Sequence, residues 1–127
     1  MKKYLALLPL ALALAGVKPP PCNPPAAPFN VSVFTDSYVD QIPRAVIVWE
    51  NLESPKGKVC IERADGYGAG FGEWHRIASL PHNADFWIDY TVDFGVPYLY
   101  RVGTENGCGV SFTGDAFFQY CGGYNCP

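Results

Sequence analysis

From Phe29 onward the apolar residues never settle into helical spacing. They fall in short runs rich in Val, Ile, Phe, Tyr and Trp, cut apart by Gly, Pro, Asn and Asp. A chain built this way buries its apolar surface only by pairing strands. Phe29, Val31 and Val33 alternate with Asn30 and Ser32, as in a strand with one buried face. Ala45, Ile47 and Trp49 line a second strand, with Val46 and Val48 making its other side apolar too. Val59 and Ile61 point inward in a third strand, with Cys60 outward. Strands follow at Trp74 to Ala78, at Phe86 to Asp89 and at Tyr98 to Val102. In the last, Val110, Phe112, Gly114, Ala116, Phe118 and Tyr120 share one parity and hence one face. About seven strands with turns roughly every 8–12 residues predict an all-β fold, a seven-stranded antiparallel β-sandwich.

The segment ahead of this pattern obeys different rules. Lys2 and Lys3, an apolar run from Tyr4 to Leu14, and the small-x-small pattern at Ala13-Leu14-Ala15 read as a signal peptide over residues 1–15, cleaved after Ala15. The run is shorter than the ~20 residues that cross a bilayer, so no membrane span is expected after cleavage. Export to the cell surface or medium follows. Lipid attachment at Cys22 is the disfavoured route, because Pro19-Pro20-Pro21 stand where a lipoprotein signal carries Leu and small residues. Residues 16–28, proline-rich, read as a semi-rigid tether rising roughly 3 Å per residue. The sandwich then spans 29–120 and a Cys-containing tail 121–127.

Of the nine Lys and Arg, two lie in the signal segment, which leaves seven against twelve Asp and Glu. That acidity argues against nucleic acid as a partner. Five cysteines in a small exported chain point to disulfides, with one left over.

The segment Trp87-x-Asp89-x-x-Val92-x-x-Gly95-x-x-Tyr98-x-Tyr100-Arg101-Val102-x-x-x-Asn106-x-x-Gly109-x-Ser111 resembles the signature of the last three strands of fibronectin type III domains, a branch of the immunoglobulin-like sandwiches. Trp49, Trp74 and Ile77 extend the resemblance upstream, so that it covers about 27–120. It implies that Trp49, Val92, Tyr98 and Tyr100 are structural, with Tyr98 in a tyrosine corner whose hydroxyl bonds backbone near Val92. Phe94 stands where the family usually has Pro, and Pro97 precedes the corner tyrosine. Phe86 and Ile88 are as apolar as Trp87, which leaves the inward face of that strand open. In the implied topology Cys60 and Cys108 lie toward the same end and form one candidate disulfide. Cys121 and Cys126 form another, with Cys22 left for a lipid, an intermolecular bond or a free thiol.

No arrangement of catalytic groups is found. His75 and His82 belong to no metal-binding motif, and Gly109-Val110-Ser111 lacks the closing glycine of a nucleophile elbow. Gly66, Gly68, Gly70 and Gly72 lack the spacing of a phosphate loop. No enzyme activity, cofactor or metal is expected. The same glycine-rich loop carries Tyr67, Phe71 and Trp74, which are the candidate binding residues; the competing reading packs Trp74 on the sheet. The expected function is a non-catalytic interaction or adhesion module for a protein or surface polysaccharide. A structural spacer or decoration subunit, and a carbohydrate-binding module, are the alternatives.

Overall fold

A computed structural model describes residues 21–52 and 57–126; the expected signal peptide over 1–15 and residues 16–20 of the expected tether lie outside the described residues. Ten strands and no helix occur among them: β1 (Phe29–Phe34), β2 (Ala45–Glu50), β3 (Lys58–Tyr67), β4 (Gly70–Phe71), β5 (His75–Leu80), β6 (Phe86–Asp89), β7 (Pro97–Asn106), β8 (Gly109–Phe112), β9 (Ala116–Cys121) and β10 (Tyr124–Asn125). One sheet has the order β1-β2-β6. The other runs β10-β9-β7-β3-β4, with β5 also on β3 and β8 also on β7, and all pairs are antiparallel.

The two layers close over a core set by strand alternation. Ala45, Ile47 and Trp49 face Val59, Ile61, Tyr98, Tyr100, Val102, Phe118 and Tyr120, all buried. Burying side chains such as Ile47, Ile61 or Phe118 contributes about 1.5–3 kcal/mol each. The face of β6 is settled by register: Ile47 pairs with Trp87 and Ala45 with Asp89, so Trp87 packs on the core while Phe86 is exposed.

Ten strands replace the expected seven for three local reasons. The C-terminal half of the long third strand turns back on itself through β4. The supposed tail 121–127 instead joins the sheet: Gly122 and Gly123, both at positive φ, form a two-residue turn that pairs β10 with β9. Finally, the last strand breaks between Phe112 and Ala116. Gly103 pairs with Phe112 but Tyr100 with Ala116, a slip of one residue. Such a slip exchanges faces. Phe118 and Tyr120 therefore enter the core, whereas Val110 and Phe112 cover the outer face over Gly103, contrary to the single face expected. Thr113 stabilises the slip, its hydroxyl accepting from the Val102 amide at 3.0 Å and its own amide donating to the Val102 carbonyl at 2.8 Å.

The cysteine pairing also differs from expectation. Cys22 is bonded to Cys108, and Cys60 is free and fully buried. Cys60 pairs across the ladder with Gly103, whereas Cys108 sits in the β7–β8 turn beyond Asn106, several residues further along at ~3.3 Å each. Cys60 is thus out of reach of Cys108, and Arg76, Glu62 and Glu105 lie around it on the outer face. Among the described residues ahead of β1, the part of the expected tether 16–28 that carries Cys22 is held on the domain instead of standing away from it. Its residues Cys22 to Pro25 fold back on the β7–β8 turn, where Asn106 Nδ2 donates to the Asn23 carbonyl at 3.0 Å and Pro24 approaches Gly109. A second disulfide joins Cys121 to Cys126.

Candidate functional site

The ends of the sandwich are unlike one another. At the end where β2 stops and β3 begins, the Cys22–Cys108 clamp lies near an open cleft of about 530 Å³ lined by Lys58, Pro81, His82, Glu105 and Asn106 among others. This end carries few aromatics.

The opposite end is built around a buried charge hub. Asp89, at the end of β6, is fully buried and accepts hydrogen bonds from Arg63 Nη1 (2.8 Å), the Tyr100 hydroxyl (2.7 Å), the Thr91 hydroxyl (2.6 Å) and the Thr91 amide (2.9 Å). Burial pushes the Asp89 carboxyl up, but these hydrogen bonds outweigh it and hold the group below the usual carboxylate range. Arg63 also bonds Asp65 and lies 4.8 Å over the Tyr98 ring. The Tyr98 hydroxyl in turn accepts from the Asp93 amide at 2.8 Å, which is the corner geometry expected of this residue. The hub links β3, β6 and β7 at the point where their loops leave. Its carboxylate is saturated by donors, so it holds structure and presents no reactive group. Among the described residues no cluster of His, Cys, Asp or Glu is placed to hold a metal.

The structure separates the three candidate binding residues. Tyr67 (73% exposed) and Phe71 (40%) sit on the β3–β4 hairpin and remain open to solvent. Trp74 does not. It lies 4.4 Å from the Arg101 guanidinium, whose other neighbour is the Phe112 ring at 3.9 Å, and Arg101 is fixed by Glu62 at 2.7 Å. That stack is possible only because the slip in the last strand turns Phe112 outward. Trp74 is thus a packing residue of the outer face.

Other loops at the same end supply aromatics that the sequence reading did not single out. The β1–β2 loop exposes Tyr38, Val39 and Ile42; the β6–β7 loop exposes Tyr90 and Phe94; β10 exposes Tyr124. With Tyr67 and Phe71 these are eight of the thirteen large hydrophobic side chains exposed among the described residues. Several form one surface. Tyr38 meets Tyr124 edge-on at 5.6 Å, Phe94 meets Tyr120 at 6.0 Å, and Gly95 donates to the Tyr120 carbonyl at 3.0 Å. The C-terminal hairpin seats on the β1–β2 loop so closely that a Cβ at Gly123 would lie 2.4 Å from the Ser37 carbonyl oxygen. A sequence signal existed in the Tyr and Phe residues flanked by turn formers, but each loop offers only one or two of them.

Neither a family model nor a curated protein matches the chain. Solved structures do. An Fn3-like protein from Clostridium thermocellum superposes with a TM-score of 0.59 at 24% identity, covering 76% of this chain and 93% of that one. A structure described as a myokine gives 0.55 at 17% identity over 76% and 98%, and a mutant of FN3tt gives 0.54 at 15% identity over 76% and 97%. With two antiparallel layers and a tyrosine hydroxyl bonded at the β6–β7 turn, the chain has a fibronectin type III-like fold.

Proposed function

We propose that this protein is an exported, non-catalytic interaction module that binds a partner through the aromatic end of its sandwich. The observation that carries the reading is polarity along the long axis. The N-terminal segment is clamped at one end through Cys22–Cys108, and exposed Tyr, Phe, Val and Ile side chains concentrate at the other. Exposed apolar groups gathered on loops of a rigid scaffold mark an interaction site, and tyrosines supply contact area at low entropic cost. A protein held by its N-terminal segment presents that end outward. Two disulfides accord with an oxidising compartment, and no helix among the described residues is long and apolar enough to cross a membrane. The withdrawal of Trp74 into the Arg101 stack weighs against a carbohydrate module built on that ring.

The reading is tested by placing a photocrosslinker at Tyr67 or, as control, at Phe86 near the clamped end, and exposing the purified protein to envelope fractions of its source cells. The Tyr67 probe is expected to give a discrete, saturable adduct that excess wild-type protein suppresses and the Tyr38→Ser/Phe94→Ser variant does not. Equal adducts from both probes, or none from Tyr67, overturn it.

A further inference from the structure

We propose that the aromatic end docks a lysine- or arginine-bearing segment of a partner protein; this deepens the reading above and rests on it. The ground is a local shortage of positive charge around the exposed rings. Beside Tyr38, one guanidinium, Arg44, is shared by two carboxylates, Asp36 and Asp40. Below Tyr67, Arg63 is likewise shared by Asp65 and the buried Asp89. Each cluster therefore keeps an excess negative charge. Asp93, next to Phe94, and Glu73, at the base of the β3–β4 hairpin, are exposed and have no cation within ion-pair distance among the described residues. His75 lies 3.9 Å from Asp65, and Arg101, over the ring of Trp74 next to Glu73, is engaged by Glu62 at 2.7 Å.

A partner cation meets two kinds of attraction here. The carboxylates draw it in over a Debye length of about 8–10 Å, and exposed Tyr and Phe faces hold it by cation–π contact. The protein already uses this second chemistry twice, in the Arg101 stack and in Arg63 over Tyr98. Arg44 is only partly exposed and engaged on both sides, so it offers little repulsion. An acidic ligand would meet like charge on the β1–β2 and β6–β7 loops and beside the β3–β4 hairpin. At the opposite end the cleft carboxylate Glu105 is paired with Arg76 at 2.7 Å and shares the cleft with Lys58 and His82.

The test uses the full chain and two fluorescent peptides of equal length, one alternating Arg and Gly, the other Glu and Gly, read by anisotropy at low and near-physiological salt. The Arg-Gly peptide is expected to bind, to weaken severalfold as salt rises, and to lose about tenfold in affinity with Asp40→Asn/Asp93→Asn; the Glu-Gly peptide is expected not to bind. Asn preserves the side-chain oxygen that accepts from the Ile42 amide at 3.1 Å, while Arg44 gives up its 2.9 Å contact with Asp40 and keeps Asp36. Asp85→Asn/Glu105→Gln, with the same change in net charge at the clamped end, is expected to leave affinity unchanged. Equal losses in both double variants mean non-specific attraction to an acidic protein and overturn the proposal. Salt-independent binding of a neutral polysaccharide, lost in Tyr38→Ser/Phe94→Ser, overturns it also. Failure of the Arg-Gly peptide to bind while the Tyr67 crosslink persists refutes the basic partner and leaves the interaction surface standing.

Discussion

Replacing Asp89 by Asn removes one charge and almost no volume, so its effect isolates what the hub contributes. The carboxylate receives four hydrogen bonds, all from groups that donate. An amide supplies one accepting oxygen and turns an NH₂ toward donors on the other side, so either Arg63 and Tyr100 or the two Thr91 groups lose their partner. Breaking one side of a buried ion pair costs about 3–5 kcal/mol. Arg63 keeps its bond to the half-exposed Asp65, which places the expected loss near the lower figure, about 3 kcal/mol. Against a domain stability of about 5–15 kcal/mol that is a large fraction. At about 4–8 °C per kcal/mol for a domain of this size, the melting temperature is expected to fall by roughly 12–24 °C. Urea titration and calorimetry of the oxidised protein measure both quantities. A companion Arg63→Met/Asp89→Leu/Tyr100→Phe variant, which replaces both charges with apolar groups and removes the buried hydroxyl that Asp89 accepts from, is expected to lose less than Asp89→Asn. If Asp89→Asn loses under about 1 kcal/mol, or if the apolar variant is worse than the single change, the hub does not hold the sheets in the way argued.

The same carboxylate sets a pH signature. Its folded pKa lies below the ordinary value, so its stabilisation is present above about pH 4 and is lost as pH falls through the lowered folded value; the acid limb of stability is expected to be shallower in Asp89→Asn, as urea midpoints at a series of pH values will show. Tyr98→Phe strips the acceptor from the Asp93 amide and is expected to cost about 1–2 kcal/mol, with equal stability counting against the corner. Cys22→Ser/Cys108→Ser opens a link of sequence separation 86, for which chain entropy allows a loss of up to about 4.5 kcal/mol, and is expected to render Pro24 and Pro25 accessible to proteolysis while wild type resists. Cys60, fully buried and with its thiol pKa raised by burial, is expected to ignore a thiol reagent in the native protein and to react fully in denaturant; prompt native labelling would contradict its placement.

Local alternation made the core strands legible. Trp49 and Tyr98 could be assigned to facing layers because a period of two is written into consecutive residues, and the Trp87 to Ser111 spacing carried the corner. Asp89 and Arg63 lie 26 residues apart, and no local pattern marks a buried pair at that distance. Strand β6, apolar on both parities, yielded its inward face only when register against Ile47 chose Trp87. In the last strand, unbroken alternation from Val110 to Tyr120 concealed the slip at Thr113, because a bulge leaves the order of apolar residues unchanged while rotating half of them outward.

Sequence alone determined that this chain makes a two-layer antiparallel sandwich, since strand formation and the burial of alternate residues depend on neighbours in the chain. Tertiary structure decided which cysteines meet, which aromatics are withdrawn and which gather at one end. Those outcomes depend on where the chain reverses: a folded-back N-terminal segment brings Cys22 to Cys108, the slipped register delivers Phe112 to Arg101 and Trp74, and loops far apart in sequence bring Tyr38, Phe94 and Tyr124 together.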